Sequence, residues 1–286
     1  MRSPFKILRP FYVSFSGGRT SAYMLRRILD AYDGLPSDAL ILFANTGKER
    51  DETLDFVNEI QRRWNVPIHW IEWDAEGYRE VSYETAHRRN NPGSPFEELI
   101  DHMSVLPNPV ARNCTKQLKI VAMQRWLTDR GWDASFHRRC AIGIRADESE
   151  RAIQKRADSP NYVTPKFPLI SCNTTELDVN KFWKRQHFDL QLRQHEGNCD
   201  LCFLKSMSKL VSITSEHPEF AEWWIEQERR KSAAIGPGNG GVFRPGRPYS
   251  RILKVASEPD TLPLNFGQDD EDVPCGCADG VGDWRE

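Results

Sequence analysis

The stretch FSGGRTSAYM at residues 15–24 joins two segments of different period, and its reading decides the fold. Upstream, Arg9 to Phe15 is rich in β-branched and aromatic residues and predicts a strand. Downstream, Ser21 to Asp30 carries apolar residues at helical spacing. Ser16 to Thr20, between them, predicts a turn of small residues. A glycine-rich turn from strand to helix offers backbone N–H groups and the positive helix end to an anion. The same wording also suits a plain tight turn. It matches neither the Gly-Lys-Ser/Thr phosphate loop nor the G-x-G-x-x-G dinucleotide fingerprint.

The flanking sequence supplies the architecture. Asp38 to Ala44 is a near-continuous apolar run, as a buried parallel strand requires. Asn45-Thr46-Gly47 predicts a turn, Asp51 to Trp64 a helix with Leu54, Val57 and Ile60 on one face, and Val66 to Asp74 a third strand. This alternation predicts an α/β fold: a Rossmann-like parallel sheet with helices on both faces. Residues 75–113, interrupted by Pro92, Pro95, Pro107 and Pro109, read as a long loop or lid. Cys114 to Arg130 reads as a helix, Ser135 to Ile144 as a fourth strand, and 159–172 as extended. Segments 174–186 and 206–231 read as a mostly helical C-terminal part. The glycine- and proline-rich stretch 232–248 reads as a linker. Three regions follow: an α/β domain over 1–172, a helical region over 173–231, and a linker with a cysteine-bearing tail over 232–286.

A net charge of −2 excludes a bulk basic field that would draw the whole chain to nucleic acid or anionic lipid. No run approaches the roughly 18 apolar residues of a membrane span, and the charged, proline-interrupted start does not resemble a signal peptide. A cytoplasmic location is the expectation. In a reducing compartment the seven cysteines point to metal or redox chemistry rather than structural disulfides. Cys140 and Cys172, in or beside predicted strands, read as buried small hydrophobes. Cys199 and Cys202 form a C-x-x-C, whose two sulfurs can reach one metal or one cluster. His195, four residues earlier, is the histidine nearest that motif.

Four segments carry a resemblance. Ser16-Gly17-Gly18-Arg19-Thr20-Ser21 resembles the S-G-G-x-x-S pyrophosphate loop of the adenine nucleotide alpha-hydrolase (PP-loop) superfamily. Residues 43–54 (FANTGKERDETL), Arg112-x-Cys114-x-x-x-Leu118-Lys119 and Gly143-x-Arg145-x-x-Glu148-Ser149-x-Arg151 are similar to segments of its phosphoadenylylsulfate (PAPS) reductase branch. The wording of the loop also resembles DndC-type DNA phosphorothioation proteins. The resemblance implies that Ser16, Gly17, Gly18, Arg19, Thr20 and Ser21 hold phosphates, and that Asn45, Thr46 and Gly47 lie against adenosine. Gly143, Arg145 and Arg151 would complete the nucleotide site, with Ser16 and Arg145 acting at the reacting phosphate. Arg19 and Thr20 stand where this loop commonly has lysine and aspartate. Ion pairs with Asp147, Glu148 or Glu150 are the alternative roles for Arg145 and Arg151.

Reductases of this branch with a [4Fe–4S] cluster carry a Cys-Cys pair followed by C-x-x-C about 80 residues on. Here the pair is Cys114-Thr115, so the expected metal ligands are Cys114, Cys199, Cys202 and one tail cysteine, Cys275 or Cys277. Iron–sulfur is favoured by the family, while the thiolate set by itself suits zinc equally. Expected ligands are therefore ATP, or PAPS or adenylylsulfate (APS), with Mg²⁺.

Three functions share this site. One is ATP cleavage between the α- and β-phosphates, adenylylating a substrate for sulfur transfer. Another is sulfonucleotide reduction, for which the family's E-C-G-[IL]-H tail is replaced by Pro274-CGCADG. The third is a non-catalytic nucleotide-binding module in a nucleic-acid modification complex. Partners would be an adenine nucleotide, a nucleic acid or sulfur-donor protein, and a second copy of the chain, with no membrane.

Overall fold

In the computed structural model, which describes residues 3–132, 137–157, 159, 161–197 and 199–258, the predicted alternation forms one six-stranded sheet. β1 (Phe11–Ser14), α1 (Arg19–Tyr32), β2 (Ala39–Asn45), α2 (Asp51–Arg63) and β3 (His69–Glu72) follow in order. β4 (Arg79–Val81) is the antiparallel edge strand beside β3. α3 (Pro95–His102) leads to a π-helical stretch (Thr115–Val121) that runs into α4 (Ala122–Asp129). Then come β5 (Arg138–Ile142), α5 (Ser149–Ala157), β6 (Val163–Lys166), α6 (Pro168–Ser171) and α7 (Glu176–Trp183). α8 (Met207–Glu216), α9 (Phe220–Ile235) and α10 (Tyr249–Ser257) make up the helical C-terminal part.

The strand order is β4-β3-β2-β1-β5-β6, parallel throughout except at β4. From β1 the chain builds outward to β3 and then crosses back to lay β5 on the other side. The crevice between the carboxyl ends of β1 and β5 is thus the topological switch point, where open α/β sheets bind ligands.

Alternation along the strands fills both faces. Phe11, Val13, Ile41, Phe43 and Trp70 pack with α1, α2 and Trp183 of α7. Tyr12, Leu42, Ala44 and Ile71 pack with α3, α4 and the three C-terminal helices. Each strand residue of these sets is buried, the pattern of a sheet covered on both sides.

Two expectations need correcting. The region 75–113 is not a bare loop, since it holds β4 and α3: Pro95 occupies the first turn of α3, where its missing N–H costs nothing, and the Ser94 side chain accepts from Glu97 N–H. Cys172 is exposed rather than buried, because it follows α6 at the surface; Cys140 is buried in β5. The stretch 232–248 carries Phe243, fully buried among Phe96, Trp224 and Tyr249. No helix among the described residues is long and apolar enough to cross a membrane. The tail cysteines Cys275 and Cys277 lie outside the described residues.

Candidate functional site

The glycine loop is built by constraint. Gly17 has φ +74°, and a Cβ there would stand 2.8 Å from Thr53 Cγ2 and 3.1 Å from Phe43. Gly18 caps α1 in an extended conformation with no side-chain hydrogen bond, and the first turn of α1 holds no acidic residue. By contrast, α2 opens with Asp51 and Glu52, and α3 with the Ser94 cap, Glu97 and Glu98. The start of α1 therefore keeps its partial positive charge uncompensated by its own side chains. Ser21 Oγ donates to the Gly18 carbonyl at 3.0 Å, so in its 2.9 Å contact with Ser16 Oγ the donor is Ser16.

Across the crevice, Gly143 follows β5, and a Cβ on it would stand 2.9 Å from Ser21 Cα. The loop and the β5 end thus approach at backbone distance, which only glycine permits. Arg145, Glu148, Arg151, Glu176 and Arg193 line the same cleft as Ser16, Gly17, Gly18, Arg19 and Thr20.

Every cation at the cleft faces a carboxylate. Arg145 meets Asp147 at 2.9 Å, Glu148 at 3.4 Å and Glu176 at 3.7 Å, and donates to Thr20 Oγ1 at 3.3 Å. Arg151 pairs with Glu148. Arg193 forks onto Glu216 and also reaches Glu196 at 3.0 Å. Burial favours the neutral form of Asp147, yet the bonded Arg145 guanidinium holds its carboxyl below the ordinary range. Arg19, also at the cleft, holds Asp189 bidentately and the carbonyls of Leu190 and Leu192.

Asn45, Thr46 and Gly47 are not among the residues lining the cleft; they lie buried behind it. Asn45 donates to Glu72 at 2.7 Å and to the His87 carbonyl at 2.8 Å. Thr46 donates through N–H (2.8 Å) and Oγ1 (2.6 Å) to Glu49. These bonds belong to a buried polar layer at the carboxyl edge of the sheet that the sequence reading did not anticipate. Lys119 Nζ stands 3.3 Å from Glu49, and Lys48 Nζ 3.5 Å from Asp200 and 4.3 Å from the Trp223 ring centre. Burial opposes the Lys119 charge, but Glu49 and the neighbouring thiols raise its pKa all the same.

The three expected thiols gather in this layer. Cys199 pairs with Glu49 across an antiparallel bridge, and its Sγ lies 3.7 Å from Thr46 Oγ1. Cys114, Cys199 and Cys202 are near enough to perturb one another's charge. Burial is the main cause that pushes all three up, Cys114 to about 12. Three soft donors beside a buried ammonium suit a thiolate-bound metal or cluster chemically. Among the described residues, however, no three His, Cys, Asp or Glu side chains are grouped as ligands of one ion. The thiols are neighbours rather than a formed ligand set.

The phosphoadenosine phosphosulfate reductase domain matches residues 10–191. The uncharacterized nin region protein ORF290 of Escherichia phage lambda is 30% identical over 205 residues, 69% of this chain and 67% of that protein. An uncharacterized protein of Methanocaldococcus jannaschii is 25% identical over 245 residues, 83% of this chain and 45% of that protein. This chain thus matches less than half the length of the archaeal relative.

Proposed function

We propose a reaction for this chain, which belongs to the phosphoadenosine phosphosulfate reductase domain family: cleavage of ATP between its α- and β-phosphates, adenylylating an acceptor for sulfur transfer. The observation that carries this reading is the pair of carboxylates at the cleft. Here Glu148 and Glu176 line the cleft among the arginines, and such carboxylates suit the divalent cation of a metal–nucleotide complex.

The residues divide the work as follows. The uncapped amides at the start of α1 and the Ser16 hydroxyl bind the β- and γ-phosphates. An acceptor nucleophile attacks the α-phosphorus, the bond to the bridging oxygen breaks, and pyrophosphate leaves with the charge. The loop amides would stabilise that charge without reorganisation. Arg145 would neutralise the α-phosphate with a planar fork. Arg151 and Arg193 position the polyphosphate. Cys114, Cys199 and Cys202, with Cys275 as the fourth ligand, would hold a [4Fe–4S] cluster, which supplies a centre for handling sulfur or electrons when bound. A sulfur-donor protein and a nucleic-acid acceptor are the partners this chemistry calls for.

Anaerobic purification with iron, sulfide and zinc analysis, followed by turnover with MgATP or PAPS, tests the reading. Pyrophosphate is expected from MgATP, with AMP freed when water displaces the acceptor from the adenylyl group, and pyrophosphate release should fall by about 10²–10³ in Arg145→Gln. Sulfite from PAPS, with no pyrophosphate from ATP, would replace adenylylation by reduction.

A further inference from the structure

We infer that Arg19 is a positioning residue that ties the C-x-x-C segment to the glycine loop, so that occupancy of the loop is felt at the thiols. The second clause rests on the nucleotide reading above; the first stands on geometry alone.

Arg19 is the first residue of α1 and follows the Gly18 cap. Its backbone belongs to the loop, while its side chain reaches across to residues 189–192, of which Leu190 also lines the cleft. There Nε and Nη2 hold the two Asp189 oxygens at 2.7 and 2.9 Å, and Nη1 donates to the Leu192 carbonyl at 3.0 Å. Nη2 also donates to the Leu190 carbonyl. Trp183 Nε1 donates to the Arg19 carbonyl at 2.9 Å, fixing the backbone from the same side. A planar guanidinium can satisfy all these acceptors at once, whereas an ammonium on a flexible stem cannot hold the fork.

The clamped segment leads straight to the thiols. Beyond Leu192, Arg193 and Gly197 line the cleft, and Glu196 meets Arg50 before α2 at 3.6 Å. Cys199 then bridges Glu49, and Asp200 N–H donates to the Lys48 carbonyl at 2.9 Å. One strap therefore runs from the phosphate loop to the C-x-x-C. It is held at its start by Arg19 and at its end by the residues between β2 and α2. With its start released, the strap would lose its register on the loop and loosen along its length toward the thiols.

Hydrogen exchange of the full-length chain, followed by mass spectrometry, tests this. Without nucleotide, Arg19→Lys and Asp189→Ala should each speed exchange over residues 190–204 by about tenfold, with less than about twofold change over β5. Rates unchanged over 190–204, or an equal rise over β5, would overturn the positioning role, the latter because Arg19 would then merely hold up the fold. With MgATP bound, the wild-type strap should slow by a further factor of about ten. In Asp189→Ala the slowing should vanish, while the dissociation constant for ATP stays within about threefold. Full slowing in that variant overturns the coupling. An ATP that fails to bind the wild type counts against the nucleotide reading, and the nucleotide-free comparison still decides the role of Arg19.

Discussion

Gly17 shows how much of the glycine loop is dictated by one residue. Its backbone needs a positive φ, and Thr53, Val57 and Phe43 occupy the space a side chain would take. Gly17→Ala meets both penalties and should cost about 1–3 kcal/mol in denaturant unfolding. Gly18 has no positive φ, and a Cβ on it would meet only Ser16 Oγ, at 3.7 Å. The same substitution there should lose less. Equal losses would show that neither the backbone nor the crowding at Gly17 governs the turn. The glycines were legible in sequence because their chemistry is local. The roles of Arg19 and Asn45 were not, because each is set by a partner far along the chain, Asp189 and Glu72. Arg145 falls between: its place after β5 was readable, and its three carboxylate neighbours include Glu176, which only the fold brings near.

At the scale of elements, β1 to β3 and the two intervening helices were legible because one sheet buries them on both faces and their periods are clean. β4 and α3 were hidden by prolines read as breakers, although Pro95 starts a helix rather than ending one. The C-terminal helices carry a pH-dependent junction. Glu228 of α9 accepts from the backbone N–H groups of Phe243 (3.1 Å) and Tyr249 (2.8 Å), anchoring the glycine-rich stretch and α10. Burial pushes its carboxyl up to about 7, against those two N–H donors that favour the charged form. The folded state therefore binds this proton more tightly than the unfolded chain does. The stabilising contribution is fully present below the ordinary value of 4.5 and is lost as pH rises through about 7. Glu228→Gln should flatten the decline in thermal stability across that window. An unaltered decline would assign it to another group.

The whole molecule brings three distant segments together at the carboxyl edge of its sheet: residues 45–50 after β2, the Cys114–Lys119 turn and the C-x-x-C. In sequence, Lys48-Glu49-Arg50 looks like a solvated run of charges before a helix. In the fold all three are buried, because the C-x-x-C segment and the start of α9 close over them. Buried ions of this kind are stable only as matched sets, since each unpaired charge keeps its desolvation cost. Lys48 and Asp200 make the clearest pair: the ammonium has the Asp200 carboxylate, the Arg89 carbonyl and the Trp223 ring. Asp200 in turn accepts from Trp224 Nε1 at 2.9 Å and lies between the two cysteines of the motif. Asp200→Ala, which strands the Lys48 charge, should therefore cost about 3–5 kcal/mol in denaturant unfolding. Lys48→Met combined with Asp200→Ala should cost less than the sum of the two single changes, because the double variant no longer strands the Lys48 charge. Additive losses would mean that the pair does not act as a unit. The C-x-x-C would then be held against β2 by its backbone bridge to Glu49 and by packing alone.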